Sequence, residues 1–325
     1  MIPEKLKPGD EIRVIAPSLS LGIIPRDVQE LANKVHEELG FRLTFGRHVN
    51  EFDTFRSSSI ESRIEDLHES FLDKNVKAIS AVYGGYYTNQ MLRYIDFDII
   101  RANPKIILGF SDITILLAAI YAKTGLVTYY APNYSSYGMR DGLEYTLEYF
   151  KKCFVENSPF AVKAAPHWSD DDWYKNQDER EFIENNGYLI INEGTAEGKI
   201  IGGNLCTLSL LQGTEYMPDI RESIIFIEEY GDVGMQLFNR YLQSLIHQPG
   251  FDTVKGIVIG RFPKGSKVSD ESLKYIIKSK KELTHIPVIA NASFGHTTPQ
   301  FAFPIGGCGR LFVKNGKVEL EILEH

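Results

Sequence analysis

Between Glu11 and Val155 the chain alternates short apolar runs with longer amphipathic stripes, and this alternation limits the fold more than any other feature. Glu11–Ala16 (EIRVIA) is strand-like and is closed by Pro17. Arg26–Leu39 then sets Val28, Leu31, Val35 and Leu39 at helical spacing, with Gly40 where a helix would end. Phe41–Phe45 reads as a second strand, and Ile60, Ile64, Leu67 and Phe71 stripe a second helix. Val76–Val82 (VKAISAV) is a third strand that runs into Tyr83-Gly84-Gly85. A short helix through Asn89–Tyr94 follows, then a strand–turn–helix at Lys105–Thr114, a strand at Val127–Tyr130 and a helix at Glu144–Val155. Strands separated by helices cannot pair as hairpins. They pair in parallel through crossovers, which predicts an α/β fold with a mostly parallel sheet flanked by helices. Ligands of such sheets bind beyond the carboxyl ends of the strands, so Gly84-Gly85 and Ser111 are expected on one crevice.

The pattern changes after residue 160. Residues 161–186 are polar, follow neither period and carry both tryptophans, Trp168 and Trp173. They read as a linker containing a long loop, with the indoles either pinning it to the body or stacking on a ligand. Residues 187–325 are richer in strands: Gly187–Asn192, Gly194–Gly203, Ser223–Glu228, Val254–Gly260 and Ile286–Ala290. Helices are expected at Asn204–Gln212, Gly234–His247 and Ser269–Leu283, and a hairpin turns at Asn315-Gly316. The expected division is therefore an N-terminal domain over 1–160, a linker over 161–186 and a strand-rich α/β C-terminal domain over 187–325.

A net charge of −8 argues against nucleic acid as a partner, because phosphate binding calls for a basic surface. The charged, proline-containing start (MIPEKLKPGD) is unlike a secretory leader, and the longest apolar run, Ile113–Ala122, is about half a membrane span. A cytoplasmic protein without a membrane partner is expected. Cys153, Cys206 and Cys308 are widely spaced and odd in number, which implies neither a disulfide framework nor a zinc site. There is no HExxH, no GxGxxG after the first strand and no GxxxxGK[ST], so no metal or cofactor is implied.

The chemistry has to come from side chains. In KIILGFSDIT a strand ends at Gly109 and a helix is expected from Asp112, leaving Ser111 on the turn between them. A serine there is either an N-cap or a nucleophile on a strand–turn–helix elbow, and the stretch alone favours the commoner cap. A nucleophile needs a base and the base an orienting acid. His296, in SFGHTTP after a strand, is the best placed base. Glu228 or Glu229, at the end of a buried strand, suits the acid, although a salt bridge or a solvated strand end is the commoner role for such a residue. The amides of Gly85 and Asp112 are candidates for an oxyanion hole.

Taken together, YGGYYTNQMLRYIDFDIIRANPKIILGFSDIT, IIGGNLCTLSLLQGT, SIIFIEEYGD, SLIHQPGFDTVKGIVIGRF and NASFGHTTPQFAFPIG resemble, in order, the LD-carboxypeptidase family of serine peptidases. The likeness is to the branch similar to the microcin C immunity protein. The resemblance implies a metal-free Ser–Glu–His triad carried by Ser111, Glu228 and His296, with Glu229 as the alternative acid because the family writes its pair as Glu-Asp. It implies oxyanion donors at Gly85 and Asp112 and substrate contacts at Asn204 and at Trp168 or Trp173. It also implies a homodimer acting on peptidyl or aminoacyl nucleotides, or on murein tetrapeptides. A module that only binds such molecules is the reading of another class, and the intact Ser/Glu/His set speaks against it.

Overall fold

The computed structural model describes residues 1–325. The first part of the chain runs β1 (Glu11–Ile15), α1 (Arg26–Glu38), β2 (Arg42–Phe45), α2 (Ile60–Leu72), β3 (Val76–Ala81), α3 (Phe97–Ala102), β4 (Ile106–Gly109), α4 (Thr114–Thr124), β5 (Thr128–Tyr130) and α5 (Glu144–Phe154). The remainder runs β6 (Phe160–Ala161), β7 (His167–Trp168), β8 (Ile183–Glu184), β9 (Leu189–Asn192), β10 (Gly194–Asn204), α6 (Leu205–Leu208), β11 (Ser223–Glu228), α7 (Met235–Ile246), β12 (Gly256–Gly260), α8 (Asp270–Lys278), β13 (Val288–Ala292), β14 (Phe303–Ile305), β15 (Cys308–Lys314) and β16 (Lys317–Glu324).

The first sheet has the order β14-β5-β4-β3-β1-β2, parallel throughout except for β14. The second sheet has the order β6-β16-β15-β10-β11-β12-β13-β9. Its centre, β10 to β13, is parallel, and antiparallel strands close both edges. The fold is thus the expected α/β arrangement, a mostly parallel sheet with a strand-rich partner. Two short strands cross between the halves: β14 pairs with β5 and β6 pairs with β16. One contiguous cluster of 85 buried apolar residues spans both sheets, so the sheets share a core.

α4 explains how they are joined. Thr114 through Ile120 are all buried, and a helix that is apolar all round belongs inside a protein. The helix follows β4 directly, and Thr114 Oγ1 accepts a 3.0 Å hydrogen bond from the Asn204 amide at the end of β10. The start of α4 is therefore anchored to the second sheet. Three expected elements differ in detail. Thr88–Tyr94 is a 3-10 helix, and Ser111–Ile113 forms a 3-10 turn before α4 begins at Thr114. The helix expected to reach Leu283 stops at Lys278, because Lys280 is extended and turns its ammonium inward to Asn239 Oδ1 at 2.6 Å. The Asn315-Gly316 hairpin forms as expected, with both residues at positive φ between β15 and β16.

Candidate active site

Ser111 is one of six non-glycine residues with a positive φ. Its φ is +64°, in the left-handed region that costs a non-glycine residue about 1–2 kcal/mol. The turn is held from three sides. Phe110 donates its amide to Asn133 Oδ1 at 3.1 Å, and Ser111 donates its amide to the Tyr130 phenolic oxygen at 3.2 Å. On the third side Gly84 packs so closely that a Cβ there would lie 2.9 Å from Ser111 Cβ. Ser111 is not a cap: neither the turn nor α4 has a side-chain N-cap bond, and the hydroxyl faces another partner.

That partner is His296. Its Nε2 lies 3.0 Å from Ser111 Oγ, and its Nδ1 lies 2.7 Å from Glu228 Oε2. An ionised carboxylate only accepts, so the Nδ1 proton points at Glu228 and the Nε2 lone pair faces the serine hydroxyl. The three residues come from the end of β4, the end of β11 and the loop after β13, and meet between the two sheets. Gly295 permits the approach of His296. Its φ is +99°, and a Cβ would lie 2.4 Å from Glu228 Oε2.

The two adjacent glutamates behave differently. Both are fully buried. Glu228 accepts from Tyr130 at 2.7 Å and from Asn204 Nδ2 at 3.0 Å, in addition to His296. Burial alone would raise its carboxyl, but the imidazole, the phenol and the amide hold it below the ordinary value. Neither oxygen of Glu229 has a hydrogen-bond partner. Burial first, then the charge of Glu228, pushes the Glu229 carboxyl up to about 8.

The site opens into a cavity of about 410 Å³ whose wall includes Gly85, Ser111, Asp112, Asn204 and His296. Asn204 lines it while its side chain is engaged: Oδ1 accepts from Thr207 N at 3.1 Å and from Cys206 Sγ at 2.9 Å. The Asp112 carboxylate accepts from Ser18 Oγ, Tyr87 N, Thr88 N and Thr88 Oγ1 at 2.6–3.0 Å, which locks the loop after β3 against the serine turn. Neither tryptophan lines this cavity. Trp168 lies under the Arg261 guanidinium, 4.7 Å from the ring centre, and Trp173 packs edge-on to Tyr174 at 6.0 Å. Ser169 nevertheless pairs with Thr298, two residues past His296, and so ties the loop to the site.

Sequence reasoning missed Tyr130, which joins the Ser111 amide to Glu228. The one available signal was its place at the carboxyl end of the strand next to β4. It also missed the aromatic wall of Tyr83, Tyr86, Phe110, Tyr230 and Tyr241.

A family model described as the LD-carboxypeptidase N-terminal domain matches residues 12–131, and one described as the LD-carboxypeptidase C-terminal domain matches residues 197–311. The crystal structure of an MccF-like protein from Bacillus anthracis strain Ames has a TM-score of 0.99 at 54% identity and covers 100% of both chains. The microcin C7 self-immunity protein MccF of Escherichia coli is 33% identical over 279 residues, 82% of this chain and 80% of its own length. MccF in complex with aspartyl sulfamoyl adenosine has a TM-score of 0.90 at 31% identity, covering 100% of this chain and 99% of the other. Another MccF structure, with a TM-score of 0.90 at 30% identity and the same coverage, carries an active-site substitution of a serine, an asparagine and a lysine by alanine. The murein tetrapeptide carboxypeptidase of Pseudomonas aeruginosa is 26% identical over 300 residues, 91% of each chain. Matched in both halves by family models and along its length by these relatives, the chain belongs to the LD-carboxypeptidase family of serine peptidases.

Proposed function

We propose that the chain is a serine hydrolase that cleaves an amide or acyl-phosphoramidate-type bond in peptidyl or aminoacyl nucleotides, in the manner of microcin C immunity. The observation that carries this reading is the line Ser111 Oγ, His296 Nε2 and Nδ1, Glu228 Oε2, with separations of 3.0 and 2.7 Å. Ser111 Oγ attacks the acyl carbon as its proton passes to His296 Nε2. The oxyanion is met by the amides of Gly85 and Asp112. Collapse breaks the bond to the leaving nitrogen, which takes the proton back from Nε2. Water then gives its proton to His296 and attacks the ester, which releases the acid and restores Ser111. Glu228 is the orienting acid in this scheme and Glu229 is not, because Glu228 is charged and hydrogen-bonded to the imidazole whereas Glu229 is neutral and unpaired. No metal or cofactor enters the reaction.

The nucleotide substrate is supported by the aromatic wall of the cavity, which offers flat faces to a base, and by the MccF complex with an aminoacyl sulfamoyl nucleoside. Trp168 and Trp173 belong to the same proposal: their loop is tied beside His296, and Asp172 and Tyr174 stand close enough to act on the Tyr83 phenol at the cavity. A second reading, murein LD-carboxypeptidase activity on tetrapeptides, is favoured by the Pseudomonas aeruginosa relative. A purely binding role leaves the strained serine without a purpose. We further propose that the enzyme acts in the cytoplasm as a homodimer.

The test is a side-by-side assay of an aminoacyl sulfamoyl adenosine and a murein tetrapeptide, with Ser111→Ala as control. Turnover of the adenosine derivative by the parent protein alone supports the reading. Turnover of only the tetrapeptide transfers it to the murein substrate, and equal turnover by Ser111→Ala refutes the mechanism.

A further inference from the structure

The cavity in front of Ser111 has an electrostatic bias. Its wall holds five aromatic side chains but no lysine and no arginine. Apart from the His296 imidazole and the Cys206 thiol, the chargeable groups near the reacting atoms are carboxyls. Asp112 is in the wall, Glu228 stands behind His296, and Glu229 lies buried beside Cys206, which is itself in the wall.

The neighbouring cations are spent elsewhere. Arg63, whose charge acts on Asp112, donates to Pro17 O, Tyr87 O and Gln90 Oε1. Arg180 pairs with Asp171 at 2.9 Å, while Arg261 and Lys264 lie over Trp168. The donors around Asp112 already point at its carboxylate and have nothing left for a second anion. MccF differs in having a lysine among its active-site residues.

We infer that the subsite around Ser111 selects an acyl residue with an uncharged or cationic side chain and discriminates against an acidic one. The inference rests on Ser111 being the nucleophile. With the acyl carbon at Ser111 Oγ, the side chain next to that carbonyl stands against the cavity wall. A carboxylate there loses part of its water to phenyl and phenol faces, with carboxyls behind the wall and no lysine or arginine to pair with. An amide of the same shape carries no such charge penalty. An ammonium gains from the same field.

The experiment compares kcat/KM for glutaminyl and glutamyl sulfamoyl adenosine, which differ only in the charge at issue. The expected result is a preference for the glutaminyl compound of about tenfold or more; parity, or preference for the glutamyl compound, overturns the inference. Leu210→Lys places a cation on the same wall at a residue that is 58% exposed, where folding is not at risk. It should bring the ratio to within about threefold of unity, and an unchanged ratio overturns the charge explanation. If neither compound is hydrolysed, the nucleotide reading fails by itself, and the selectivity is then read from the two Kd values on Ser111→Ala. Tighter glutaminyl binding by the same factor supports the subsite; equal binding, or none, overturns it.

Discussion

Tyr130 donates its phenolic proton to Glu228 Oε1 at 2.7 Å while accepting the Ser111 amide at 3.2 Å. One side chain thus couples the strained serine turn of the first sheet to the carboxylate of the second. Burial, with the Glu228 charge beside it, lifts the phenol well above its ordinary value, so the hydroxyl keeps its proton and remains a donor.

Tyr130→Phe should therefore do two things. It leaves the half-buried Ser111 amide and one lone pair of the buried Glu228 without a partner, which should cost about 1–3 kcal/mol of stability. It should also lower kcat more than it raises KM, because the turn and the carboxylate are loosened together. Denaturant unfolding and steady-state kinetics on the same preparation check both. A loss of stability with unchanged kcat would make Tyr130 purely structural.

The positive φ of Ser111 is a cost that glycine does not bear. Ser111→Gly and Ser111→Ala should both abolish hydrolysis, but the glycine variant should be more stable than the alanine variant by about 1 kcal/mol. Thermal unfolding of the pair measures it. Equal melting temperatures would show that the turn is unstrained.

Glu229 makes stability depend on pH in a definite direction. Its carboxyl sits at about 8 when folded, against 4.5 for the ordinary side chain. Between those values the folded chain keeps a proton that the unfolded chain has lost. The favourable contribution is complete below pH 4.5 and drains away as pH rises towards 8. Glu228 runs the opposite way: its folded value is depressed, so its contribution is present at neutral pH and lost in acid. Glu229→Gln removes the first effect only. The difference in Tm, variant minus parent, should be distinctly more positive at pH 8 than at pH 5; a difference independent of pH would mean that Glu229 is not held neutral.

Much of this molecule was legible in the sequence because the signals were local. The alternation of apolar runs and helical stripes specifies a parallel sheet, and Asn315-Gly316 supplies the positive φ angles of a hairpin turn. The serine turn was legible as a turn, but on local signals alone a cap and a nucleophile look alike. The observation that favours the proposed nucleophile is an imidazole from 185 positions away in the chain. β14 escaped notice because three residues carry no usable period, and its partner β5 lies in the other half. Tyr130 in its short buried strand reads as core until Glu228 is seen to face it. The choice between Glu228 and Glu229 was equally closed to sequence, since adjacent identical residues differ only in what surrounds them after folding.

Acylation of Ser111 leaves a covalent mark, which the mass of the protein during turnover reads. Incubation with an aminoacyl sulfamoyl adenosine, acid quenching within the first turnovers and peptide mapping should find the acyl mass on the peptide containing Ser111. The adduct should be absent from Ser111→Ala and from His296→Ala, which lacks the base that takes the serine proton. Steady turnover with no adduct on Ser111, or undiminished turnover by Ser111→Ala, would contradict the account.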